Sequence, residues 1–202
     1  MLTSPDYGAQ APSRGSARAC EARGGRGPLT TLLGVVDVPA LPAVRIEPAT
    51  PEDHAGIADL TVSVYVGGGL AGPDYGVELA DVARRAELAE LLVVRDGDGR
   101  LVGSVALVLE GEFGEVTESD DEAAVRMLVV DPAAQGQGIG ALLMTECLRR
   151  ARAAGKRRMV LSTSTLMTAA HRLYERLGFT RLPERDWSPV PGVDLIVYAL
   201  DL

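Results

Sequence analysis

Arg126-Met127-Leu128-Val129-Val130-Asp131-Pro132-Ala133-Ala134-Gln135-Gly136-Gln137-Gly138-Ile139-Gly140-Ala141-Leu142 is the stretch whose reading decides the fold. Ala124 to Val130 is an apolar run of strand length, and Asp131-Pro132 ends it. Glycines stand at 136, 138 and 140, and from Ile139 to about Ala154 the apolar positions recur with helical period. Gly155 closes that helix after Arg149, Arg150 and Arg152, cations that suit a helix C-terminus. Strand, glycine turn and helix N-terminus together form an anion site. The first N–H groups of a helix lack intrahelical partners, and the macrodipole is positive there. Glycines in the turn let a pyrophosphate approach those amides.

The glycines alone leave the ligand open. A phosphate-cradling nucleotide loop requires Lys and then Ser or Thr after its last glycine, whereas Ala141 and Leu142 follow Gly140. A dinucleotide fingerprint fits the relaxed spacing of Gly136, Gly138 and Ala141, but Asp131 to Gln135 intervene between strand and turn. The acid expected at the tip of the next strand is also missing, since that strand ends Leu161-Ser162-Thr163-Ser164.

Outward from this centre the chain alternates strands and helices. Val44 to Glu47 reads as a strand. Thr50 then caps a helix that begins at Pro51 and runs to about Val66, where Gly67-Gly68-Gly69 stops it. Glu78 to Ala89 reads as a second helix. Leu91 to Arg95 and Leu101 to Leu109 are strands joined by Asp96-Gly97-Asp98-Gly99, a hairpin signal. The acid-dense stretch from Glu110 to Glu122 reads as a solvated loop. After the central helix come a strand over Met159 to Ser164, a helix over Thr168 to Leu177 closed by Gly178, and strands at Phe179 to Arg181 and Leu195 to Leu200. Trp187 is expected to anchor the late loop. The class is α/β: a single domain over residues 43–202, with a central mixed, mostly antiparallel sheet flanked by helices.

Residues 1–42 are rich in Gly, Pro, Ser, Ala and Arg without a period, and are predicted to be disordered. A net charge of -8 argues against nucleic acid as a partner. No apolar run reaches the roughly 18 residues of a membrane span, and no basic leader precedes an apolar stretch, so a cytoplasmic protein is expected. Cys147, within the central helix, reads as a small core residue, and no His or Cys pair has metal-ligand spacing, so no metal is expected. A homodimer is compatible with the sequence without being read from it.

The central stretch closely resembles the GNAT superfamily of acetyl-CoA-dependent N-acyltransferases, whose signature is Arg or Gln, two residues, Gly, one residue, Gly or Ala. The resemblance continues through Ala169-Ala170-His171-Arg172-Leu173-Tyr174-Glu175-Arg176-Leu177-Gly178-Phe179, similar to that superfamily's second cofactor motif. It implies that Leu128, Val129 and Val130 offer backbone groups to the pantetheine and thioester where neighbouring strands splay apart. It implies that Gln135, Gly136, Gln137, Gly138, Ile139, Gly140 and Ala141 hold the pyrophosphate. The activity implied is acetyl transfer from acetyl-CoA to a primary amine of a small molecule or peptide, by direct attack. Tyr174 is the candidate proton donor to the leaving thiolate. Glu122 or a water is the candidate base, because position 124, where similar chains often carry glutamate, is Ala124. Met167 departs from an asparagine frequent in relatives. The acceptor is expected beside Tyr65, Gly67-Gly68-Gly69, Tyr75 and Glu78. An acyl-CoA sensor without catalysis and a nucleotide-dependent oxidoreductase are the alternatives.

Overall fold

The computed structural model describes residues 44–202 apart from 112, 114 and 191. The expected disorder of residues 1–42 lies outside the described residues. Eight strands form one sheet: β1 (Arg45–Pro48), β2 (Glu90–Arg95), β3 (Leu101–Val108), β4 (Glu122–Val130), β5 (Arg158–Ser164), β6 (Thr180–Arg181), β7 (Trp187–Val190) and β8 (Val193–Asp201). Their order is β1-β2-β3-β4-β5-β8-β6, with β7 also paired to β8. Every pairing is antiparallel except β4 with β5, as the mixed, mostly antiparallel sheet of the sequence reading requires.

Among the described residues five α-helices flank the sheet: α1 (His54–Val62), α2 (Gly76–Ala80), α3 (Val82–Leu88), α4 (Ile139–Ala153) and α5 (Thr168–Arg176). α4 covers one face. Its Ile139, Leu143, Met144, Cys147 and Ala151 pack with Leu92, Val102, Ala123 and Val125. Cys147 is fully buried, which pushes its thiol up to about 12 and makes it inert core, as expected. α1 and α3 cover the other face, where Ile57 and Val82 meet Leu91, Val93 and Ala106.

Three local departures have physical causes. The first helix loosens into a π turn over Ser63–Gly67 before the glycines end it. The second predicted helix is two, because the Asp81 carboxylate accepts from the Arg84 N–H and starts α3 afresh. Trp187 opens a strand instead of sitting in a loop, and packs half-buried against the cluster of Val108, Ala124, Val160 and Val197.

Candidate active site

β4 and β5 pair only at Glu122–Ala124 against Arg158–Val160; beyond that they part, while β5 stays bonded to β8 through Ser164. On its other edge β4 carries a bulge against β3 between Ser104 and Ala106, and Met127 takes φ 50. A non-glycine residue in the left-handed region is strained, and such strain in a parted sheet turns backbone groups out of the ladder. No composition signal marks Met127; the bulge was not legible in the sequence.

At the parted end of β4, Leu128, Val129 and Val130 line a cavity of about 690 Å³ together with the glycine turn and α5. Of the residues expected at the cofactor, Leu128, Val129, Val130, Gln135, Gly136, Gly138, Ile139, Gly140 and Ala141 line it. Gln137 does not; it is exposed in the turn. The turn is held by Gln135 Nε2, which donates to the Val130 carbonyl at 3.3 Å. Gly136 and Gly138 have φ 76 and 82, so the turn itself demands glycine, and a side chain there would point into open space. Leu142 N–H to Gly138 O, at 2.9 Å, is the first bond of α4. The N–H groups of Ile139, Gly140 and Ala141 therefore have no partner among the described residues, and they face the cavity at the positive end of a 15-residue helix. Gly140 serves a second end: a Cβ there would stand 3.1 Å from Leu173 Cδ2, where α4 meets α5.

α5 supplies the opposite wall, including Ala170, Leu173 and, at helical spacing, Arg172 and Arg176. Both arginines are exposed and without an ion pair among the described residues. The sequence reading passed over them, although cations one turn apart on a cofactor-motif helix were a usable signal. Met167 also lines the cavity. These are the features a pyrophosphate-bearing acyl carrier requires: unpaired amides, flanking guanidinium groups and a slot between strands.

Tyr174 lies one residue beyond Leu173, buried, with ring centroids of Phe179 and Tyr198 each at 5.9 Å. Burial holds its phenol well above the usual range, with Tyr65 the next contributor, so it stays protonated. His171 lies on the same helix and its Nε2 is 3.0 Å from the Ser164 carbonyl, which ties it to the end of β5.

Glu122 lies apart from the cavity beside the glycine turn. The structure puts it at the foot of β4, where the strands are still paired, and not where they part. Arg185 Nη1 donates to both its oxygens at 3.0 and 2.8 Å, and Glu118 N–H adds a third bond at 2.9 Å. A buried carboxylate so engaged fastens loop to strand and is poorly placed to accept a substrate proton.

The expected acceptor end gathers more than was expected. Ala124 and Arg126 lie on the α1–α3 side of β4, Arg126 opposite Ala106. The Arg126 guanidinium donates to the Phe113 carbonyl at 3.0 Å, pairs with Glu115 at 2.7 Å, and lies 4.2 Å over the Phe113 ring. Burial raises the Tyr75 phenol against the opposing pull of Arg126, and pushes Tyr65 up to about 12. Burial also raises Glu115, with Arg126 opposing and Glu78 reinforcing. Several acids of the 110–122 loop are not simply solvated: Glu115, Glu118 and Asp121 pair with Arg126, Arg185 and Arg157.

A sheet parted beside a glycine turn, with the turn at a helix N-terminus, is the arrangement that the resemblance to the GNAT superfamily led us to expect. The chain belongs to the Acetyltransferase (GNAT) family, whose pattern matches residues 66–179, more than half its length. It is 31% identical over 112 residues to glucosamine 6-phosphate N-acetyltransferase of Trypanosoma brucei brucei, covering 54% of this chain and 73% of that one. It is 43% identical over 82 residues to mycothiol acetyltransferase of Streptosporangium roseum, covering 41% and 24%. It is 33% identical over 98 residues to N-acetylaspartate synthetase of Homo sapiens, covering 48% and 30%. The chain therefore spans about three quarters of the first relative and a third or less of the other two. A structure described as an acetyltransferase from Salmonella typhimurium with its cofactor acetyl-CoA superposes with TM-score 0.60 at 25% identity, covering 79% of this chain and 94% of that one. A GNAT-family acetyltransferase from Staphylococcus aureus gives TM-score 0.65 at 16% identity, over 79% and 99%, and shares the fold. Membership sets aside the oxidoreductase alternative. Among the described residues no helix is long and apolar enough to cross a membrane, and no acid, His or Cys group has the arrangement of a metal site.

Proposed function

We propose that this chain transfers the acetyl group of acetyl-CoA to a primary amine of a small molecule or peptide, within a domain over residues 43–202. The observation that carries the reading is the row of unpartnered amides at Ile139, Gly140 and Ala141, residues that line the cavity between the end of β4 and α5. Acetyl-CoA supplies an acetyl group activated as a thioester. The glycine turn and the first turn of α4 hold the pyrophosphate, and Arg172 and Arg176 add charge-assisted bonds to phosphate oxygens. Backbone groups of Leu128, Val129 and Val130, beside the Met127 bulge, orient the thioester, and an N–H among them stabilises negative charge on its carbonyl oxygen.

The neutral amine nitrogen attacks the carbonyl carbon and the carbon–sulfur bond breaks. The ammonium proton passes to water, since Glu122 is engaged elsewhere, and Tyr174 protonates the departing thiolate. Positioning supplies most of the acceleration in such a direct transfer. Relatives named for amino-sugar and amino-acid acetylation support an amine as acceptor. Calorimetric titration of acetyl-CoA tests the cofactor half. Gly138→Glu, which places a carboxylate at the helix N-terminus and a side chain at φ 82, should weaken binding at least tenfold. Unchanged affinity would show that the pyrophosphate lies elsewhere.

A further inference from the structure

The carbonyl of Ser164, the last residue of β5, takes two hydrogen bonds from the chain that follows it. The Met167 N–H donates at 3.0 Å, and His171 Nε2 stands 3.0 Å away. A carbonyl oxygen only accepts, so the imidazole makes this contact with its proton on Nε2. The two donors fill both lone pairs of that oxygen. Ser164 is therefore committed to α5 and, through its pairing with Leu195, to β8. β4 has already left β5 at Ala124 and Val160.

The chain between Ser164 and His171 is a wall of the cofactor cavity, lined by Leu166, Met167, Thr168, Ala169 and Ala170. Little else holds the turn that begins it. Ser164 Oγ accepts from the Leu166 N–H at 3.2 Å, and the Thr165 N–H reaches the Asp194 carbonyl at 3.4 Å, both at the long end of the hydrogen-bond range. Leu166 is 67% exposed, so its packing adds little. Among the described residues the His171 contact is the only side-chain hydrogen bond between α5 and β5. The imidazole is backed by the Tyr198 ring of β8, with centroids 5.8 Å apart and planes tilted by 34°. Tyr198 is buried, and its hydroxyl donates to Glu175 Oε1 at 3.1 Å, so the backing is fixed. An aliphatic side chain would fill the space beside Tyr198 equally well. What histidine adds at this position is the donor.

We propose that His171 is a positioning residue for acetyl-CoA: its Nε2–H, donated to the Ser164 carbonyl, fixes the turn at residues 165–167 as the wall against which the cofactor lies. This rests on the acetyltransferase reading above. His171 does not line the cavity itself; it acts through Leu166, Met167 and Thr168, which do. A turn already ordered in the free chain need not be ordered at the moment of binding, so loss of the bond appears in affinity. One hydrogen bond between neutral groups shifts such an equilibrium by about threefold to tenfold.

The test begins with the native chain. It holds two histidines, His54 and His171, so the ring signals are assigned by comparison with His54→Gln. Nitrogen-15 shifts of the His171 ring should place a proton on Nε2, and saturation with acetyl-CoA should move those signals. A proton on Nδ1 alone, or ring signals unmoved at saturating acetyl-CoA, would overturn the proposal. His171→Leu keeps an apolar side chain beside Tyr198 and removes the donor. It should raise the acetyl-CoA dissociation constant about threefold to tenfold, and raise KM for acetyl-CoA by more than it lowers kcat. His171→Gln, whose amide carries a donor to nearly the same place, should recover part of the affinity. A His171→Leu chain that loses stability yet binds acetyl-CoA as the native chain does would overturn the proposal and make the bond a fastening of α5 alone. If that variant fails to fold, the native ring signals decide by themselves. A native chain that does not bind acetyl-CoA at all defeats the acetyltransferase reading and the positioning role together, whereas binding with a contrary ring or variant result defeats the positioning role only.

Discussion

Arg185 Nη1 donates to both carboxylate oxygens of Glu122, at 3.0 and 2.8 Å, and so fastens the turn before β7 to the first residue of β4. Glu122 is 5% exposed and Arg185 13% at the side chain, so the pair is shielded from water on both sides. Removing one member leaves the other charge buried. Glu122→Ala should therefore lower unfolding free energy by roughly 3 kcal/mol, as broken buried pairs do. At a temperature where the variant is folded, kcat should be within about twofold of native, because a general base would cost far more. Denaturant unfolding and steady-state kinetics on the same preparation decide between the roles. A loss of kcat on the order of a hundredfold without a loss of stability would restore Glu122 as the base.

Tyr174→Phe removes a hydroxyl that has no hydrogen bond among the described residues, so stability should change little. Turnover should fall about a hundredfold while acetyl-CoA affinity holds, the pattern of a lost proton donor. Full turnover at every pH would end that assignment.

Burial raises Tyr65, Tyr75 and Tyr174, and pushes the Cys147 thiol up to about 12. All are neutral when protonated and resist ionisation in the folded chain, whereas the unfolded chain releases these protons from about pH 8.5 for the thiol and about pH 10 for the phenols. The folded state then binds more protons than the unfolded, so stability should be level below about pH 8 and decline as pH rises beyond it. Urea unfolding across that range measures the slope. Cys147→Ala should remove the earlier part of the decline, and stability that rises with alkalinity would contradict the burial of these groups.

Leu173 Cδ2 lies 3.1 Å from where a Cβ on Gly140 would stand. Gly140→Val should push α5 away from α4, weakening acetyl-CoA binding by about tenfold or more, and Leu173→Ala should recover part of the loss in the double variant. Strict additivity of the two single effects would mean that the contact does not shape the cavity.

Much of the fold was legible because its signals are local. Thr50-Pro51, Asp96-Gly97-Asp98-Gly99 and Gly155 each announce a boundary by their own backbone chemistry, and the structure has its turns there. The glycine turn before α4 was legible for the same reason, since Gly136, Gly138 and Gly140 lie within one turn of chain. What stayed hidden depends on partners distant in sequence. The Met127 bulge arises from a mismatch with β3, and the fate of Glu122 is set by Arg185, 63 residues away. The pairing of Arg126 with Glu115 likewise exists only once β4 and the acidic loop meet. Residue type named the candidates, and tertiary contact decided which of them were engaged.

Acetyl transfer itself is the central claim, and mass spectrometry of the acceptor after incubation with acetyl-CoA measures it most directly. An amine panel of small molecules and peptide N-termini should contain at least one acceptor that gains one acetyl group per coenzyme A released. Gly138→Glu should slow that gain at least tenfold at subsaturating acetyl-CoA. Tight acetyl-CoA binding with no acetylated amine would contradict the account and leave a chain that binds the cofactor without using it.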